Sequence, residues 1–335
     1  MIGQSLLKIL NSRVGSRTAP SGSLHSLLSR ANFKLVDIGA RGGAMPQLSV
    51  LAPFSHYFAC EPDGHEAQRL NSLIRDGAAW KDVTVFSEAI ASTGNEATLH
   101  ICKQPGLSSL LRPNLDVTKK FYDDDRYDIC NDLVVPTISL DCAAKRYGFE
   151  DACFLKLDTQ GTELDILRSG AKLLSNAVIG VHVEVEFHTF YHDQPLFADV
   201  DTYLRSQGFS LFDLQRTLIR RASYRSDLYS RRQVGWAEAL YFHEPSDLNI
   251  SDDFTAVKCA QLLGLVIAFE QFDLAFELIT SGVAGDILQK LWGANLSRDI
   301  ANWVKVRTRA SSKTARHKRQ RPRPLKFMYT DRKRI

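Results

Sequence analysis

Four apolar runs in this sequence carry or end in a carboxylate, and the last of them continues into histidine and tyrosine. Asp37 lies inside Leu35-Val36-Asp37-Ile38, Glu61 follows Tyr57-Phe58-Ala59-Cys60, and Asp158 closes Phe154-Leu155-Lys156-Leu157. Glu184 and Glu186 alternate with apolar residues between Val178 and Phe187, and His188, Tyr191 and His192 come directly after. Acids sharing one face of a strand are costly to bury, so this crowding at a strand's carboxyl end reads as a site. Such groups can relieve a hydroxyl of its proton. His188 is the first choice of base because neutral imidazole titrates near the working pH, with His192, Asp158 and Glu184 as the other candidates. Asp158 and Glu184 offer a second mechanism, a divalent metal acting as a Lewis acid on the hydroxyl, although the pattern does not demand one. Asp123-Asp124-Asp125 reads as a solvated turn, since no spaced calcium-loop pattern surrounds it.

The elements that must position these groups alternate strand and helix. Lys34 to Ile38 reads as the first strand of a doubly wound α/β domain, running into the turn Gly39-Ala40-Arg41-Gly42-Gly43. Glycines there let the backbone turn sharply and approach a ligand closely. The spacing misses the Gly-x-Gly-x-x-Gly dinucleotide fingerprint. With an acid inside the strand, the turn points instead to a charged, non-phosphate cofactor such as S-adenosylmethionine, which carries an ammonium and a sulfonium; Asp37, Gly39, Gly42 and Gly43 are its first candidate contacts. Glu61 stands 24 residues after Asp37, near the interval of roughly 20 at which such folds place an acid on a ribose diol. A third strand, Val83 to Phe86, leads to Glu88 and Ala89 beside the cofactor's base. Asp158 sits at the carboxyl end of a central strand, where open α/β sheets place their ligands. The buried stripe Leu164, Leu167, Ala171 and Leu174 marks the helix after it.

Further strands are expected over Ala97–Lys103 and Val134–Asp141, the latter leading into a helix to Tyr147. A helix over Phe197–Gln207 and strands over Phe209–Leu214 and Ala237–Phe242 complete the sheet. Between the last two strands, Arg216 to Arg232 holds six arginines with Tyr224 and Tyr229; this excursion either covers the site and grips an anion or is a solvated insertion. From Asp252 to Val304, after a cap at Ser251, the pattern predicts three helices. Leu262, Leu263, Val266, Ile267 and Phe269 make them apolar on more than one face, so they pack on the main domain or on a second copy of the chain.

The 335 residues, 44% of them hydrophobic, suffice for one large core with an appendage. No apolar run is long enough to span a membrane. Met1 to Leu10 lacks a signal-peptide core and reads as a frayed leading helix. The six cysteines include no C-x-x-C pair and fit reduced, buried thiols of a cytoplasmic protein. Charge is uneven: Lys305 to Ile335 holds 13 lysines and arginines against one acid, Asp331, leaving the rest of the chain net acidic. That composition predicts a disordered basic tail, able to attach to an anionic membrane surface or a polyanionic glycan.

Taken in order, several motifs resemble the FkbM family of S-adenosylmethionine-dependent methyltransferases over about Leu35 to His243. They are Val36-Asp37-Ile38-Gly39-Ala40 with Gly42-Gly43, Glu61-Pro62, and Ser108-Ser109-Leu110, then the most specific stretch, Phe154 to Leu164 followed by Leu167 and Gly170-Ala171. His188 to Phe197 with Gly208-Phe209 also resembles a subgroup pattern. Thr162 departs from the aromatic or alanine often found there. The resemblance implies a class I, Rossmann-like mixed seven-strand sheet with helices on both faces, with Asp37, Gly39 and Glu61 at the cofactor. The expected organisation is a helical lead-in (1–30), a methyltransferase domain (31–250), a helical extension (251–304) and the tail (305–335). The implied activity is O-methylation of a saccharide, as in a surface glycan, or of a secondary metabolite. Gln160, Glu163 and Tyr191 are candidate acceptor contacts. The place of work is cytoplasmic, peripheral to the inner membrane face if the tail binds there. A non-catalytic scaffold is the reading from another class, disfavoured by Asp37, Glu61 and Asp158 occurring together. A nucleic-acid methyltransferase is the third; the acidic body and the lack of an Asn/Asp-Pro-Pro-Tyr/Phe motif count against it, so no specific nucleic acid is expected as partner.

Overall fold

The structure is a computed structural model that describes residues 20–305 apart from 21, 78–79, 93, 246–252, 281 and 294. The leading helix expected at Met1–Leu10, the cap at Ser251 and the basic tail from 306 onward lie outside the described residues.

Seven strands form the main sheet: β1 (Phe33–Ile38), β2 (Ser55–Cys60), β3 (Asp82–Phe86), β7 (Phe154–Leu157), β8 (Gly180–Glu186), β9 (Phe209–Ile219) and β10 (Gln233–His243). Their order is β3-β2-β1-β7-β8-β10-β9, and β10 alone runs against its neighbours. This is a mixed seven-strand sheet, as the resemblance implies. β1, β2 and β8 are buried almost throughout, as a sheet covered on both faces requires. Alternate residues separate two cores. Val36, Ile38, Leu155, Leu157, Val181 and Val183 face the helices Leu140–Tyr147, Glu163–Ser169, Ala171–Asn176 and Phe197–Ser206.

The opposite face answers what the C-terminal helices pack on. Phe33, Leu35, Phe154, Leu240 and Phe242 share a core with the helix Gly22–Arg30 and with Asp253–Ala268, Phe272–Thr280 and Gly282–Trp292. A further helical run occupies 296–305, beyond the three helices expected. Leu262, Leu263, Leu265, Val266 and Ile267 are all fully buried, because their helix lies between the sheet and the helices that follow it. Gln261 donates to the carbonyls of Ala31 and Asn32 and so fixes this helix to the start of β1. The lead-in helix and the extension therefore belong to the same packing unit as the sheet.

A second sheet of three strands, order β4-β6-β5, lies between β3 and β7 in sequence: β4 (Ala89–Ile90), β5 (Glu96–Cys102) and β6 (Ile129–Ile138). β6 starts five residues before the expected Val134 and stops at Ile138, where Ser139 caps the next helix by accepting from Cys142 N. β9 and β10 also outrun expectation and shorten the arginine-rich excursion to 220–232. β9 is the edge of the sheet, and an edge strand tolerates charges such as Arg216. Among the described residues no helix is long and apolar enough to cross a membrane.

The contact between helix Asp253–Ala268 and β1 depends on Gly264, where an added Cβ would stand 2.4 Å from Phe33 Cζ. Gly264→Val should cost about 1–3 kcal/mol by overpacking. Thermal melting checks this; an unchanged melting temperature would show that the extension does not pack on β1.

Candidate functional site

The carboxyl ends of β1 and β7 meet at the glycine turn. Gly39 has φ +78°, and a Cβ there would lie 1.9 Å from the Asp158 carbonyl oxygen. No other residue fits. Asp158 N donates to Ile38 O at 3.0 Å and Gly39 N to Cys60 O at 3.1 Å, which ties the turn to the strands on either side. Beneath it, Lys156 and Asp37 are register partners on adjacent strands. Lys156 Nζ lies 3.0 Å from Asp37 Oδ1 and 3.5 Å from Asp158 Oδ2, and donates to Gly39 O at 2.9 Å. Tyr57 OH donates to Asp37 Oδ2 at 2.6 Å. Burial alone would lower the Lys156 pKa; the carboxylates of Asp37 and Asp158 outweigh it and hold the ammonium above its ordinary value.

Above the turn is a cavity bounded by Gly39, Arg41, Glu61, Ala89, Ile90 and Asp158. Its roof is the inserted sheet and the loop after β5, through Leu99, Pro105, Gly106, Ser108, Ser109 and Leu110. Ser109 Oγ donates to Gln160 O at 2.8 Å and so locks the roof to the turn after β7. Glu61 N donates to Phe86 O, which sets this acid between the ends of β2 and β3. Its Oε1 accepts from Asp63 N at 3.0 Å, with Arg41 Nη2 3.5 Å away. Burial pushes the Glu61 carboxyl up, and Arg41 offsets part of that rise.

On the other side of Asp158 stands a wall of carboxylates. Gln160, held in the left-handed region at φ +61°, donates through Nε2 to Asp158 Oδ1 at 2.9 Å and to Glu184 Oε1. Tyr191 OH donates to Leu107 O at 2.7 Å and lies 3.3 Å from Gln160 Oε1. Burial drives Glu184 and Glu186 well above the ordinary carboxylate range, and neighbouring carboxylates add to the rise. Glu238 of β10 is pushed up to about 7, first by burial and then by Asp158.

Several expected contacts lie elsewhere. Asp37 supports the turn from below. Gly42 and Gly43 adopt positive φ and shape the turn without lining the cavity. Glu88 is held by Arg146 Nη1 at 2.7 Å and by Tyr147 OH, while its neighbour Ala89 reaches the cavity. Glu163 folds back onto its own loop, accepting from Thr159 N, Thr159 Oγ1 and Gly161 N. His188 packs against Phe121 and Phe190 with Nε2 at 3.0 Å from Val234 O. Burial lowers its pKa. His192 is exposed. Asp158 is thus the candidate base that faces the cavity. The 220–232 excursion docks its stem on residues 120–122 and leaves Tyr229 91% exposed, away from the cavity lining.

The methyltransferase FkbM domain family matches residues 37–211, just over half of the chain. The chain belongs to the FkbM methyltransferase family. No curated protein matches it. Among solved structures it is similar to the methyltransferase FkbM of Methylobacillus flagellatus, at 18% identity and a TM-score of 0.36, over 67% of this chain and 48% of that one. The chain therefore spans about half the length of that relative. It is also similar to the magnesium protoporphyrin IX methyltransferase of Synechocystis with bound SAM (12% identity, TM-score 0.33, 66% and 78% of the two chains). A third is the precorrin-6y C5,15-methyltransferase of Geobacter metallireducens (11%, 0.32, 66% and 86%).

In this member of the FkbM family, sequence reasoning missed Lys156, Arg41 and Glu238. Each left a signal: Lys156 is a cation in the middle of the apolar run Phe154 to Leu157, Arg41 sits inside the glycine turn, and Glu238 alternates with apolar residues in Ala237-Glu238-Ala239. Lys156→Met should cost about 3–5 kcal/mol, because it leaves Asp37 buried beside an apolar side chain. Chemical denaturation measures the loss, and a cost below about 1 kcal/mol would show that the pair contributes little.

Proposed function

We propose that this methyltransferase uses S-adenosylmethionine to methylate a hydroxyl oxygen of a saccharide or secondary metabolite. The observation that carries the reading is the cavity that joins the Gly39 turn, a buried carboxylate at Glu61 and Asp158. These residues fit the cofactor: backbone without a Cβ at the turn, an acceptor for two ribose hydroxyls at Glu61, and apolar Ala89, Ile90 and Leu99 for a base. When bound, the cofactor supplies a methyl group on an electrophilic sulfonium. The chain's own part is alignment, exclusion of water and reception of a proton. The roof from Pro105 to Leu110 shields the cavity. Asp158 Oδ atoms, oriented by Gln160 and Lys156, take the hydroxyl proton. His188 would act through Nδ1 only if the acceptor extended to the aromatic cluster around Phe190.

Calorimetric titration with S-adenosylhomocysteine tests the cofactor assignment. Glu61→Ala removes two charge-assisted hydrogen bonds of about 1.5–3 kcal/mol each at most, so affinity should fall at least about tenfold. Because burial raises the Glu61 pKa, its carboxylate is lost on acidification at a higher pH than the ordinary glutamate value of about 4.3. Affinity should fall as pH drops through that raised value, and Glu61→Gln should flatten the dependence. Unchanged binding in Glu61→Ala would remove the residue from the site.

The basic segment supplies recruitment in this reading, holding a cytoplasmic enzyme against an anionic membrane surface or polyanionic glycan where its acceptor is found. Deleting Arg309 to Ile335 should leave S-adenosylhomocysteine binding intact and weaken attachment to anionic vesicles, most strongly at low salt. Equal vesicle binding by the two proteins would refute recruitment.

A further inference from the structure

The carboxylate wall has a geometry that methyl transfer alone does not call for. Glu184 on β8 and Glu238 on β10 are directly opposite in the antiparallel register, where like charges on one face repel. Asp158 joins them from the end of β7, and one oxygen from each of the three lies within 4.8 Å of the others. Two oxygens bound to a common cation at about 2.0–2.6 Å can be no more than about 4–5 Å apart, so the three can share one ion.

Two independent observations point to a ligand there. His182, 6% exposed, has an Nδ1 with no hydrogen-bond partner among the described residues, 3.5 Å from Glu238 Oε2. A second cavity, lined by Gln47, His182, Asp213, Gln215 and Glu238 among others, opens onto this side of the wall. The cofactor cavity reaches Asp158 from the other side. Two other buried acids have close partners of their own: Glu163 accepts from three donors, and Asp37 accepts from Tyr57 at Oδ2 and pairs with the Lys156 ammonium at Oδ1.

We propose that Asp158, Glu184 and Glu238 bind one divalent cation, with His182 orienting Glu238 and the second cavity giving the ion its route in. Carboxylate oxygens without thiolates select a hard ion, Mg²⁺, Mn²⁺ or Ca²⁺. The site deepens the methyl-transfer reading and rests on it for its purpose, since an ion beside Asp158 would hold the acceptor's hydroxyl oxygen; its occupancy can be measured separately.

The full chain, stripped of metal with a chelator, is titrated with Mn²⁺ by electron paramagnetic resonance and calorimetry, then with Mg²⁺ and Ca²⁺. Expected are saturable binding of one ion per chain, a loss of at least about a hundredfold in Glu238→Gln, and a loss of about 10–100-fold in His182→Phe, as for outer partners of ligands. If a variant folds poorly, the native chain still decides: Mn²⁺ should raise its melting temperature. No saturable binding of any of the three ions, no thermal shift, or equal affinity in a folded Glu238→Gln would overturn the site. S-adenosylhomocysteine titration of the same samples separates the two readings. Mn²⁺ binding without analogue binding supports the site and refutes the methyl-transfer reading; analogue binding without Mn²⁺ binding overturns the site alone.

Discussion

A single buried ammonium joins the parts of this protein that carry its chemistry. Lys156 reaches Asp37 on one strand, Asp158 at the end of its own strand and the carbonyl of Gly39 in the turn. A lysine in the middle of a parallel sheet loses its hydration, and only the paired carboxylates make that tolerable. The constraint works outward. With Gly39 fixed against the Asp158 carbonyl, the cofactor turn and the candidate base cannot move independently, so positioning is built into the sheet and not left to a loop.

The same residue explains how one face of the sheet can be both core and site. Asp37, Lys156 and His182 are register neighbours across three parallel strands, a polar row on a face otherwise packed by Phe33, Leu35, Phe154 and Phe242. Towards the amino ends of the strands, the C-terminal helices and Gly22–Arg30 seal this face with apolar side chains. Towards the carboxyl ends the apolar cover gives way to Glu184, Glu238, Asp213 and the second cavity. The helical extension thus has two effects: it completes the hydrophobic core, and through Phe269 and Glu270, just after its first helix, it closes one wall of that cavity.

Most of the architecture was legible because apolar runs and glycine turns are local signals. The succession of strands and helices along the chain, the Gly39 turn, the acid at Glu61 and the Asp158 motif all follow from short stretches, whereas the order of strands in the sheet and the separation of β4, β5 and β6 into a second sheet do not. What was not legible depends on register. Nothing in the spacing of Glu184 and Glu238, 54 residues apart, shows that they stand opposite each other across an antiparallel pair. Glu88 and Glu163 illustrate the converse, since both sit where a ligand acid would be sought and both are consumed by local partners, Arg146 with Tyr147 and the Thr159–Gly161 backbone. Residue type and position along a strand identify candidates; the donors already within reach decide which of them remain available.

The family match ends within β9, before part of the carboxylate wall. Residues 37–211 contain the turn, Glu61, the roof and Asp158 through Glu186, so the cofactor side lies inside the shared domain. Glu238, Gln215 and Asp213 on the β9–β10 pair, together with Phe269 and Glu270, lie beyond its end and line the second cavity. A fold keeps its cofactor chemistry at the strand ends it shares with relatives and varies acceptor choice in the parts added around them. On that logic the two sides of the carboxylate wall have different origins: the Gly39–Asp158 side belongs to the shared domain, while the side facing the second cavity draws Asp213, Gln215, Glu238, Phe269 and Glu270 from beyond it.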